Sequence, residues 1–187
     1  MLSWLTSRRT RQRTARSLYG SIVSAARRQP FYASWGVPDT MQGRFEMIVL
    51  HLALVIRRLG SEARAGKRLA QALTETFVVD MDDELREMTF GDLAVPREIR
   101  RATAAVFDRH NAYLAALGDP HDMLPRAIET QLAYLQPEKL DAASLAGYVR
   151  RASAALGEQA SARIMAGQIA WPDVAGGPGG TEGASRR

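Results

Sequence analysis

The sequence predicts an all-α fold: one compact bundle of about six helices, with a basic N-terminal arm and a disordered, Gly/Pro-rich C-terminal tail. Three observations predict it. Apolar residues recur at helical spacing along most of the chain, Pro and Gly stand where helices start and stop, and no alternating strand pattern or Asn-Gly hairpin turn occurs. A chain of 187 residues fits one domain of about 150 residues plus ends, and a domain of that size buries roughly 70% of the surface its unfolded chain exposes. The expected divisions are an arm over residues 1–12, a helical domain over 13–171 and a tail over 172–187.

A first helix is predicted over 13–28, with Leu18, Ile22, Val23 and Ala26 as its apolar stripe and Pro30 stopping it. Gly36 and Pro38 then break regular structure, and Asp39 or Thr40 can accept from the free amides that open a second helix near Met41. That helix runs to Leu59, with Gly60 expected in the left-handed conformation that closes it. Phe45, Ile48, Val49, Leu52, Ile56 and Leu59 line one face, and Met47, Leu50 and Leu54 cover much of the rest, so this is the central helix. In the third helix Leu69, Leu73, Phe77, Met81 and Leu85 recur every fourth residue. Pro96 opens a fourth, with Ile99, Val106, Phe107, Tyr113, Leu114 and Leu117 inward and Gly118 at its end. A fifth covers 124–135, and a sixth 141–156 with a continuation towards Met165. Beyond Trp171 the chain is too rich in Gly and Pro to pack.

Composition narrows the chemistry. The absence of cysteine removes disulfides, thiolate metal sites and thiol nucleophiles. The apolar run from Met47 to Ile56 is about half the length a membrane-spanning helix needs, and Arg44, Arg57 and Arg58 flank it. His51 within that run lacks a second histidine or a Glu at ligand spacing, so it reads as a core histidine satisfied by a carbonyl or a carboxylate. The acidic run Asp80, Asp82, Asp83, Glu84 and Glu87 lacks the pattern of a calcium loop and reads as a solvated helix face. No nucleophile elbow, phosphate-cradling loop or dinucleotide fingerprint is present. We therefore expect a protein that is not an enzyme, without catalytic residues, cofactor, metal or small-molecule substrate.

The basicity belongs to the N-terminus. Residues 1–38 carry seven arginines and no acid, whereas the remainder is slightly acidic. Arg8, Arg9, Arg11, Arg13 and Arg16 are candidate contacts for phosphate, on lipid headgroups or on RNA, each worth on the order of 1 kcal/mol near an anionic membrane. A solvated basic end is the alternative.

Two stretches carry a resemblance. LYGSIVSAARRQPFYASWGVPDTMQGRFEMIVLHLALVIRRL, followed by LAQALTETFVVDMDDELREMTFGDLAV, resembles the ubiquinol–cytochrome c chaperone family. The shared features are a Tyr-Gly helix start, a Phe-Tyr…Gly-Val-Pro-Asp-Thr connector, a Gly-Arg-Phe-Glu-Met…Leu-His helix and an Asp-Met-Asp…Leu-Arg-Glu-Met…Gly-Asp-Leu segment; the likeness covers about 18–156. It implies an assembly factor that binds newly made cytochrome b of the ubiquinol–cytochrome c reductase (bc1) complex, with a small helical co-chaperone and a ribosome or anionic membrane surface as further partners. An RNA- or ribosome-binding helical protein using the arginine arm is the alternative. Phe31, Tyr32, Trp35, Val37 and Pro38 are the first candidates for a client or partner surface, because aromatic residues are enriched at interfaces; capping the bundle is their other reading. From the Arg- and Ala-rich composition and the short basic arm we expect a bacterial cytoplasmic protein, peripheral to the inner membrane. The matrix side of the mitochondrial inner membrane is the alternative, since the acid-free start resembles a transit peptide.

Overall fold

The structure, a computed structural model, describes the backbone of residues 2–88, 108–109 and 111–174 and the side chains of 7–81, 108–109 and 111–174. Helix α1 spans Leu2–Ala26, α2 is a single turn at Pro30–Ala33, α3 spans Met41–Gly60 and α4 spans Arg64–Met88. A helical segment, α5, covers 111–117. Then come α6 (Leu124–Leu132), a 3₁₀ turn (Ala133–Leu135), α7 (Ala142–Glu158) and the short α8 (Ser161–Met165). No strand occurs among the described residues, and the all-α expectation holds.

Helix α3 is the centre. Every residue from Glu46 to Val55 is buried, because α1, α4 and α7 all pack against it. Its start is fixed as the sequence suggests: the Thr40 side chain accepts from the Gly43 amide at 3.1 Å. Its end is not. Gly60 stays helical, and the positive-φ residues among those described are Gly36, Gly167, Asp122 and Gln136. On α4, Leu69, Leu73, Phe77 and Met81 are buried at the four-residue spacing; Leu85 lies outside the described side chains, and Pro96, Ile99, Val106 and Phe107 lie outside the described residues.

Two boundaries move. The first helix begins at Leu2 rather than near residue 13, so residues 2–12 belong to α1. Arginine is a good helix former and neither Gly nor Pro interrupts the chain before Gly20, so a run of basic residues is no reason for a helix to stop. At the other end the chain stays packed past residue 171. Arg28 donates to the Pro172 carbonyl at 2.6 Å, Val174 is buried, and Trp171 donates to Ser21 Oγ at 3.0 Å. The expected tail at 175–187 lies outside the described residues.

Helices α1 and α4 run in the same direction. Gln12 bonds Thr76, and seven residues further along α1 the Tyr19 hydroxyl donates to Asp80, four residues further along α4. Their N-terminal halves therefore lie side by side.

Candidate functional site

The connector predicted as a partner surface folds inward. Phe31, Trp35 and Val37 are buried, Tyr32 and Pro38 are half-buried, and the Tyr32 hydroxyl donates to the Ala26 carbonyl at 2.6 Å. The physical reason is the one-turn helix α2 followed by Gly36 at φ 72°, which turns the aromatic rings back onto α3 and α7. Phe31 stacks edge-on against Trp35, His51 and Tyr148 with centroids 4.9 to 5.7 Å apart. Burial thus corrects Phe31, Trp35 and Val37 as an exposed client surface, since they fill the bundle, whereas Tyr32 and Pro38 keep part of their surface.

His51 stands at the middle of this aromatic cluster, fully buried. Its Nδ1 lies 2.7 Å from the Met47 carbonyl, which can only accept, so Nδ1 carries the proton; Nε2, 2.9 Å from the Tyr148 hydroxyl, then accepts. Burial holds its pKa down at about 4, so the ring is neutral at physiological pH. The Trp171 ring closes the other side at 4.9 Å. This is the satisfied core histidine the sequence suggests, bonded to a carbonyl and a tyrosine.

A second buried polar group, Glu46, was not singled out in the sequence. It is 1% exposed, and its Oε1 accepts from the Tyr134 hydroxyl at 2.8 Å and lies 2.9 Å from Arg109 Nε. Arg109 also sits over the Tyr134 ring, 5.6 Å from its centroid. The available signal was a lone acid inside an apolar helix, since a buried acid requires a partner; nothing local names partners 63 and 88 positions away. Burial raises the Glu46 carboxyl above its ordinary value of 4.5, and the Tyr134 hydrogen bond and Arg109 offset part of that. A raised carboxyl pKa means that the folded state holds the proton more tightly than the unfolded chain. Stability from this residue is therefore greatest below pH 4.5 and declines as pH rises through the raised value. Glu46→Gln should accordingly gain stability relative to the wild type as pH is raised from 4.5 towards neutral, read as the difference between their melting temperatures.

The arginine candidates separate into two sets. Arg9, Arg13 and Arg16 share an exposed stripe of α1. Arg8 and Arg11 instead face α4, where they line a cavity with Arg68 and Glu75. In the acidic run, Asp80 is exposed and accepts from Tyr19 at 2.5 Å; Asp82, Asp83, Glu84 and Glu87 lie outside the described side chains. Among the described residues no three His, Cys, Asp or Glu side chains gather as a metal cluster, and no helix is long and apolar enough to cross a membrane.

Among the described residues the large apolar side chains left exposed are Met41, Val79 and Tyr134. Met41 borders a groove of about 400 Å³ with Phe45 and Ile48 on its floor and the Arg44–Asp39 ion pair and Arg27 on its rim. The pair spans 2.7 Å, and Arg44 holds the Asp39 carboxyl below the usual carboxylate range.

The fold is a helical bundle whose core closes around His51 and Glu46, and the family it matches is one of chaperones. Residues 33–171 match the model of the family described as ubiquinol-cytochrome C chaperone, and the chain belongs to that family. The crystal structure of the Cbp3 homolog from Brucella abortus superposes with a TM-score of 0.80 at 33% sequence identity, covering 93% of this chain and 98% of that one. None of the curated proteins matches the chain. The protein's role is accordingly that of a chaperone in assembly of the ubiquinol–cytochrome c reductase complex.

Proposed function

We propose that the chain acts without catalysis, holding newly made cytochrome b before the other subunits of the complex join. The observation that carries the reading is the family match over 33–171. The surface supports it: the Met41–Phe45–Ile48 groove pairs an apolar floor with a polar rim of Arg27 and the Arg44–Asp39 ion pair, suited to a hydrophobic segment that ends in polar surroundings. Unlike the buried connector, this groove is open to a partner. A weak, shallow contact suits a chaperone that must release its client.

The test is capture of the client by position. A photo-crosslinking residue at Met41 should trap nascent cytochrome b, whereas the same residue at Ser34, exposed on the connector, should trap much less. Cytochrome b captured equally at both positions removes the groove assignment, and no capture at any surface position removes the client.

A further inference from the structure

Two cavities open side by side along the seam between the N-terminal halves of α1 and α4. The larger, about 500 Å³, presents the hydroxyl-bearing side chains Ser7, Thr10 and Thr14 from α1, with Leu69, Ala65 and Met165 as apolar lining. The smaller, about 290 Å³, is lined by Arg8 and Gln12 from α1 and by Gln71 and Glu75 from α4. Arg11 and Arg68 line both and stand between them. Neither has a carboxylate partner among the described residues. Glu75, the acid in the smaller cavity, takes a hydrogen bond from Gln71 at 3.0 Å and marks the end of the positive region.

The surroundings strengthen the positive field. Helices α1 and α4 run parallel, so the positive ends of both helix dipoles lie at the same end of the bundle, and neither helix has an acid in its first turn. Arg64 and Lys67 add exposed cations there. The nearby Glu62 is engaged by Arg58 and Ser161. Arg11 and Arg68 lie beyond the first turns of their helices, so it is the repulsion between neighbouring cations that a bound anion relieves.

We infer that the α1–α4 groove binds the headgroup of an anionic phospholipid. Arg11 and Arg68 form a fork for a phosphate diester, the Thr10 and Thr14 hydroxyls supply further donors, and Leu69, Ala65 and Met165 receive the glycerol and upper acyl carbons. The apolar floor decides for a lipid over a free phosphate. Neither cavity is lined by an aromatic side chain, which single-stranded nucleic acid uses as a stacking platform. The inference stands on the groove alone and does not depend on the identity of the client.

The test is co-sedimentation of the full chain with phosphatidylcholine vesicles, with and without phosphatidylglycerol. The wild type should bind only the anionic vesicles, and R11Q/R68Q should weaken that binding by about tenfold or more. R9Q/R13Q, which removes the same charge from the exposed stripe, should lose about threefold or less. Because R11Q/R68Q removes mutually repelling charges, its melting temperature should match or exceed that of the wild type; if it melts lower, R11K/R68K replaces it and should show a smaller loss in the same direction. Equal losses in the two neutralised pairs would reduce the effect to diffuse attraction and overturn the site. So would displacement by soluble glycerol phosphate, which would mean that phosphate alone is read, or loss of single-stranded RNA binding in R11Q/R68Q with vesicle binding intact.

Discussion

Acidification from pH 7 to pH 4 should cost the wild-type protein about 3 kcal/mol of folding stability through His51 alone. The folded ring resists protonation because it is fully buried, with Arg28 adding a repelling charge. Its folded pKa is about 4 against an ordinary value of 6.5. A depressed value on a base means that the unfolded chain binds the proton first. Stability from this residue is therefore complete above pH 6.5 and drains away as pH falls towards 4. The measurement is chemical denaturation at a series of pH values for the wild type and for His51→Leu. The variant is less stable at neutral pH, since Tyr148 and the Met47 carbonyl lose their partner, but the gap between the two proteins should close as pH falls. A gap constant over that range would mean that His51 is not held neutral by the core. Glu46 titrates with the opposite sign, so the Glu46→Gln comparison separates the two contributions.

The second large effect is expected at Gly36. Its φ of 72° is a conformation that costs other residues roughly 1–2 kcal/mol. A Cβ built there would also lie 1.6 Å from the Lys139 carbonyl oxygen, far inside van der Waals contact and against backbone that cannot swing aside. The adjoining bond from the Asp141 amide to the Trp35 carbonyl at 2.9 Å ties the same two segments together. Gly36→Ala should therefore destabilise by roughly 3 kcal/mol or more, lowering the melting temperature by about 10 °C, with loosened burial of Trp35 visible as a fluorescence shift. Gly60→Ala is the control. Gly60 lies in a helix with open space where a Cβ would sit, so that change should be neutral or stabilising.

This contrast shows what the sequence could and could not reveal. Helix α3 was legible because a ten-residue apolar run bounded by arginines has one outcome in a helical protein, a central position. Thr40 was legible because helix caps act over three residues. The connector leaves two readings open in the sequence, a partner surface and a cap, for the opposite reason. Aromatic residues beside Gly and Pro resemble a surface loop, and the inward fold depends on Lys139 and Tyr148, more than a hundred residues away. The same distance hid Glu46, whose partners Arg109 and Tyr134 come from other elements. The arginines were seen, but not their division. Only the packing of α1 on α4 places Arg11 beside Arg68 and leaves Arg9, Arg13 and Arg16 facing outward.

A core closed by the His51 knot leaves the proposed working surfaces outside it: the groove beside Met41, proposed for a client, and the α1–α4 seam, proposed for a membrane. The first of these rests on a chaperone whose loss starves one respiratory complex. The most direct measurement is the b-haem absorbance and the amount of assembled ubiquinol–cytochrome c reductase in membranes of a strain lacking this chain. Both should fall severely and return when the wild-type gene is restored. Unchanged cytochrome b and a fully assembled complex in the deletion strain would contradict the account.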